Sequence, residues 1–191
     1  MAKYTVLADA GKAIVDMLKD QMTPEPVAKP ENIGLCDPKE RGSFVVGVHP
    51  YDVEYLSESA NRDPIRLPDG NIQDPPVSYQ IKYMVSVSSK VEIANRSLEE
   101  QRILGRIMQI FADNKNLPEK YMTGTLKMSD EPIGITMQKI DLEEKVKIWS
   151  MFNEPYKISV FYTVGPINVD SSIIRVPSKR VTSVNIKGTK K

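Results

Sequence analysis

One stretch constrains the fold more than any other. Val77, Tyr79, Ile81, Tyr83, Val85 and Val87 are apolar, and Ser78, Gln80, Lys82, Ser86 and Ser88 lie between them. A period of two suits a β-strand and no helix, because successive side chains of a strand point to opposite faces. The pattern predicts an antiparallel strand with one face on a core and the other in water.

A second strand pattern, over 43–56, changes phase midway. Phe44, Val46 and Val48 are apolar at even positions, whereas Tyr51, Val53 and Tyr55 are apolar at odd ones, with the slip at His49-Pro50. A one-residue slip would turn the apolar side outward, so a bulge or corner is expected there to keep it inward. A further strand runs from Tyr156 to Val164, with Ile158, Val160, Tyr162 and Val164 on one face. Residues 124–128 and 133–140 read as a short hairpin through Ser129–Pro132.

Three segments carry helical spacing. Over residues 4–21, Val6, Leu7, Ala10, Ala13, Ile14, Met17 and Leu18 recur among Asp9, Lys12, Asp16 and Lys19. Thr23-Pro24-Glu25-Pro26 stops this helix, since proline disfavours helix in its predecessor. A second helix is predicted from Ser97, where Ser97 and Glu100 have capping-box spacing, to about Asn114. It buries Ile103, Leu104, Ile107, Met108, Ile110 and Phe111. Gly105 in its middle costs about 1 kcal/mol relative to alanine. Close approach of another backbone, from the chain's own sheet or from another subunit, is the expected compensation. A third helix starts at Asp141, capped with Glu144, and presents Leu142, Val146, Trp149 and Phe152 before Pro155.

The expected fold is therefore α+β: a mainly antiparallel sheet packed against about three helices, with an extended C-terminal β-arm. Residues 1–170 form the domain, with a long polar loop over 57–76, the length of loop that is usually functional or disordered. Residues 171–191 form the arm, β-prone and basic through Arg175, Lys179, Arg180, Lys187, Lys190 and Lys191.

Chemistry is scarce. The chain has 191 residues, a net charge of +1, one cysteine and one histidine. That charge provides no general field for nucleic acid, and the basic arm lacks the interleaved aromatics that stack on bases. Cys36 alone makes no intramolecular disulfide, which suits a reducing compartment, and no stretch is long and apolar enough for membrane insertion. Cytoplasmic folding is expected. His49 reads as a structural imidazole, and Cys36 with His49 as a poor thiolate pair, because no helix N-terminus lowers the thiol pKa. One Cys and one His cannot hold zinc without two carboxylates, no phosphate loop occurs, and Glu99-Glu100 and Glu143-Glu144 sit where helix dipoles favour them. Tyr79, Tyr83 and Trp149 fall on apolar stripes and read as core. No catalytic, cofactor-binding or metal-binding residues are expected, and no cofactor. The alternative class is a small ligand-binding domain or enzyme.

The order of segments resembles the cap family of extracellular contractile injection systems, the antifeeding-prophage and Photorhabdus-virulence-cassette kind, in its N-terminal region. The resemblance covers nearly the whole chain. It rests on Val6–Ala10, on the strand from Val77, on Leu98-Glu-Glu-Gln-Arg-Ile-Leu-Gly105-Arg-Ile-Met-Gln109, and on Asp141–Phe152 running into Tyr156–Val164. It implies a homo-hexameric ring at the distal end of the tail, where it ends polymerisation and links sheath to inner tube, in a particle released or retained by the cell. A tail-completion protein of a contractile phage is the related alternative. Under this reading residues 171–187 add a strand to a partner's sheet edge. Arg175, Lys179 and Arg180 then face acidic groups of the sheath, and Val184 and Ile186 complete the contact.

Overall fold

A computed structural model describes residues 4–57, 62–128 and 131–176. In chain order the elements are helix α1 (Val6–Met22), strands β1 (Ile33–Leu35), β2 (Val46–Tyr55), β3 (Ile65–Arg66), β4 (Ile72–Gln73) and β5 (Val77–Val87), helix α2 (Ile93–Asp113), strand β6 (Gly134–Met137), helix α3 (Leu142–Ser150), and strands β7 (Ser159–Val169) and β8 (Ile174–Arg175). The main sheet has the order β1-β2-β5-β7-β6, and a small one the order β3-β4-β8. Among the described strands only β1 and β2 run parallel; the other pairs are antiparallel.

The alternating strand takes the centre. β5 pairs with β2 on one side and β7 on the other. Its Ile81, Tyr83, Val85 and Val87 join a core built with Ala10, Ile14, Met17 and Leu18 of α1 and Ile103, Ile107 and Ile110 of α2. Each such side chain withdrawn from water contributes on the order of 2 kcal/mol before the entropy of ordering it is subtracted.

The other face of β5 is not left to water as its alternation suggested. Met84 joins Ile148, Trp149 and Phe161 in a second cluster beneath α3, and Ser86 is buried and bonded by the Arg41 guanidinium. Small hydroxyls and one methionine resemble a wet face in sequence, yet they pack under a short helix.

The β2 slip is real: the β2–β5 register shifts between Pro50 and Asp52. It keeps Val53 and Tyr55 beside Ile81 and Tyr79. The helices do not extend that far, however, so Val53 and Tyr55 remain 48% exposed.

Four other expectations are corrected. The second helix begins at Ile93, so Ser97 lies inside it, and Glu100 accepts from the Ser89 N–H instead of closing a box. Nothing in Ile93–Arg96 rejects helix, and a cap signal marks a start only where the preceding residues do. Residues 124–128 are a turn and a short 3-10 segment, not a strand; Gly124 has φ +60° and Leu126 is drawn fully into the core. β6 pairs with β7 instead. In α3 the buried side chains are Ile148 and Trp149, while Leu142 and Val146 are exposed, because only the last turns of this short helix meet the sheet. Finally, the stretch 57–76 holds β3 and β4, joined through Asp69-Gly70 with Gly70 at φ +85° and Asp69 accepting from the Asn71 N–H.

Candidate assembly surface

The side chains that could do chemistry are held in structural roles. His49 Nδ1 lies 3.2 Å from the Cys36 carbonyl and its ring packs edge-on against Phe152 at 4.9 Å. Burial lowers its pKa, and burial raises that of the Cys36 thiol, the reverse of an activated thiolate. The Arg41 guanidinium bonds the carbonyls of Val45 and Ser86 and the Ser86 hydroxyl, stitching β2 to β5. Burial pushes the Tyr51 phenol up to about 12, and its hydroxyl donates to Gln138. Trp149 Nε1 donates to Ser159 Oγ, so this indole and the buried Tyr83 are core, as read. Among the described residues no group of three or more His, Cys, Asp or Glu is placed to hold a metal ion, and no helix is long and apolar enough to cross a membrane.

What the surface offers instead is strand edges and apolar projections. β1 covers β2 only over Val46–Val48. Beyond the bulge no described strand pairs with the outer edge of β2, and its hydrogen-bond parity is fixed by Leu56, whose N–H donates to the Ser78 carbonyl. Asp52 and Glu54 share that parity and turn their main-chain groups to β5; Val53 and Tyr55 turn theirs outward. Lys82 Nζ bridges Asp52 and Glu54 at 3.0 and 3.1 Å on one face of this ribbon. The bond from Gln80 and then the Lys82 ammonium hold the Glu54 carboxyl below its usual range. Tyr55 and Tyr79 meet edge to face at 6.1 Å, on the ribbon's other side.

The arm's first residues are already a strand. β8 pairs with β4 through Ile174 opposite Gln73 and Arg175 opposite Ile72, and Arg175 forms an ion pair with Asp74 at 2.8 Å. Ile173, Ile174 and Val176 are exposed beside it. Of the arm residues named from the sequence, Arg175 is therefore engaged within the chain, while Lys179, Arg180, Val184 and Ile186 lie outside the described residues. Sequence reading missed the β2 edge; the phase slip at His49-Pro50 was its only trace.

Gly105 also departs from expectation. A Cβ built there meets nothing within 4 Å, so the chain's own sheet does not approach it. The first turns of α2 stand clear of the core, with Ile93 and Leu98 exposed.

Helices on both faces of a mixed, mostly antiparallel sheet define an α+β scaffold, and its described edges are in part unpaired. The family model of the Pvc16 N-terminal domain matches residues 9–183, and the chain belongs to that family. No curated protein sequence matches it. Two solved structures share the fold. One is the PVC sheath/tube terminator of an extracellular contractile injection system in its extended state, with TM-score 0.62, 14% identity, and 100% of this chain covered against 65% of that one. The other is the anti-feeding prophage cap, a tube-terminating cap, with TM-score 0.60, 12% identity, and 95% covered against 61%. The chain thus spans somewhat less than two thirds of the length of the proteins it matches.

Proposed function

We propose that this chain is a structural cap of a phage-tail-like contractile injection system. Copies form a hexameric ring on the distal end of inner tube and sheath, stop polymerisation and link the two layers. The observation that carries the reading is the family membership over residues 9–183, joined to a fold shared with two tail terminators. The physical character of the surface supports it: a terminator needs a rigid core and exposed strand edges and arms that occupy the places where the next layer would add. The chemistry supports a non-catalytic role, since the sole histidine and cysteine are held in packing contacts. Residues 171–191 are the docking arm of this ring, with Lys179, Arg180, Val184 and Ile186 at its contacts and Arg175, held by Asp74, at its root. The subunit folds in the cytoplasm and leaves, where it leaves, as part of the particle.

The test is the length distribution of tails by electron microscopy. Particles assembled without the chain should have tails of scattered length, and supplying it should restore a single length. Uniform tails in its absence overturn the proposal.

A further inference from the structure

The outer edge of β2 is a receptor without an occupant in the chain described so far. Among the described residues the outward N–H and C=O groups of Val53 and Tyr55 have no partner, at half-exposed positions on a ribbon that outruns its helices. An edge of this kind is a template for another strand unless something blunts it. Asp52 and Glu54 give this edge net negative character on one face, one lysine being shared by two carboxylates. The other face is apolar, through Val53 and Tyr55. The matching strand would alternate apolar residues with basic or neutral polar ones.

One segment outside the described residues carries that sequence pattern. Over 184–187, Val184 and Ile186 alternate with Asn185 and Lys187, and residues 177–191 carry Lys179, Arg180, Lys187, Lys190 and Lys191 with no acidic residue. The segment that leads into it is β8, which already adds as a strand to β4. Its exit follows β7, and in the order β1-β2-β5-β7-β6 the bare edge of β2 lies on the far side of β5 from β7. A donor on one side and an acceptor on the other make a head-to-tail contact, the kind that closes into a ring.

We propose that the β2 edge of each copy accepts residues 181–187 of a neighbouring copy as an added antiparallel or parallel strand, and that this exchange closes the ring. The partner of the arm is then a second copy of this chain in place of the sheath. The inference rests on the reading of residues 171–191 as a docking arm, and its failure is separable from failure of the terminator reading.

The experiment measures self-association of the full chain by light scattering, together with residue-resolved amide exchange. Val53→Pro removes one outward N–H while the β2–β5 ladder, which does not use it, stays intact. Deletion of residues 177–191 removes the donor. Each should weaken self-association about tenfold or more, because Val53→Pro removes an edge hydrogen bond and crowds the incoming strand, and the deletion removes that strand altogether. The Val53 and Tyr55 amides should exchange fast at low concentration, become protected as the full chain associates, and stay unprotected in the deletion variant. Glu54→Lys should weaken association, and Lys187→Glu added to it should restore part of the loss. Association accompanied by fast exchange at Val53 and Tyr55 overturns the proposal. So does association that responds to the deletion but not to Val53→Pro or Glu54→Lys. Neither result touches the terminator reading, which stands or falls on tail length.

Discussion

The indole Nε1 of Trp149 donates to the hydroxyl of Ser159 at 3.0 Å, both groups buried, and this bond pins α3 onto the first residue of β7. It fixes the layer on the sheet face opposite α1 and α2. Ser159→Ala leaves a buried N–H unpaired and should cost about 1–3 kcal/mol. Trp149→Ala removes the largest member of the cluster with Met84, Ile148 and Phe161, and should cost about 3–5 kcal/mol. Urea denaturation gives both values; for Ser159→Ala the single tryptophan is its own fluorescence probe.

Asp9 of α1 ties down the turn that replaced the expected strand at 124–128. Its carboxylate accepts from the Thr125 N–H at 3.2 Å and the Thr125 hydroxyl at 2.9 Å. Gly124 adopts φ +60°, and a Cβ there would lie 2.8 Å from Asp9 Oδ2. Gly124→Ala therefore carries both backbone strain and a clash at the anchor. It should destabilise the chain by about 1–3 kcal/mol, whereas Gly42→Ala, with similar φ but open space around it, should cost less. Matched denaturation curves of the two variants separate the clash from the strain.

The sequence showed most clearly those elements whose period and burial agree. α1 is of this kind, since its apolar positions and its buried face coincide, whereas β5 announced its strand but not the burial of both its faces over Tyr83–Val87. The phase slip at His49-Pro50 announced the bulge, but periodicity says nothing of where a neighbouring layer ends, so the exposure of Val53 and Tyr55 was invisible. α3 failed for the same reason: Leu142 and Val146 keep helical spacing with Trp149, yet the helix touches the sheet only through its last turns. The 65–73 hairpin hid because each strand has two residues, too few for any period, and its third strand comes from about a hundred residues away. Which edge stands open depends on which strands pair, and that is a property of the assembled sheet.

Gly105 gives the sharpest contrast between the two levels. In an exposed helix interior, glycine costs roughly 1 kcal/mol relative to alanine, and here no neighbour within 4 Å compensates. Gly105→Ala should therefore stabilise the isolated chain by about 0.5–1 kcal/mol, read as a higher denaturation midpoint with unchanged slope. A loss of stability in the isolated chain would show that something presses on this face.

His49 should set the chain's response to mild acid. Burial lowers its pKa in the folded state from the ordinary value of 6.5, so the unfolded chain takes up the proton first as pH falls. Stability from the neutral imidazole is thus complete above about 6.5 and is lost as pH drops from there toward the folded value. The lowered carboxyls of Asp20 and Glu54 act in the same direction but only near and below their ordinary values of 3.8 and 4.5. The decline in folding free energy between about pH 7 and 5 therefore belongs to His49. Replacing it by glutamine, which keeps a donor for the Cys36 carbonyl without titrating, should flatten that part of the profile while the steeper loss at lower pH remains. Denaturation midpoints measured at half-unit intervals for both proteins give the comparison, and an equal slope in the two would exclude the imidazole as the cause.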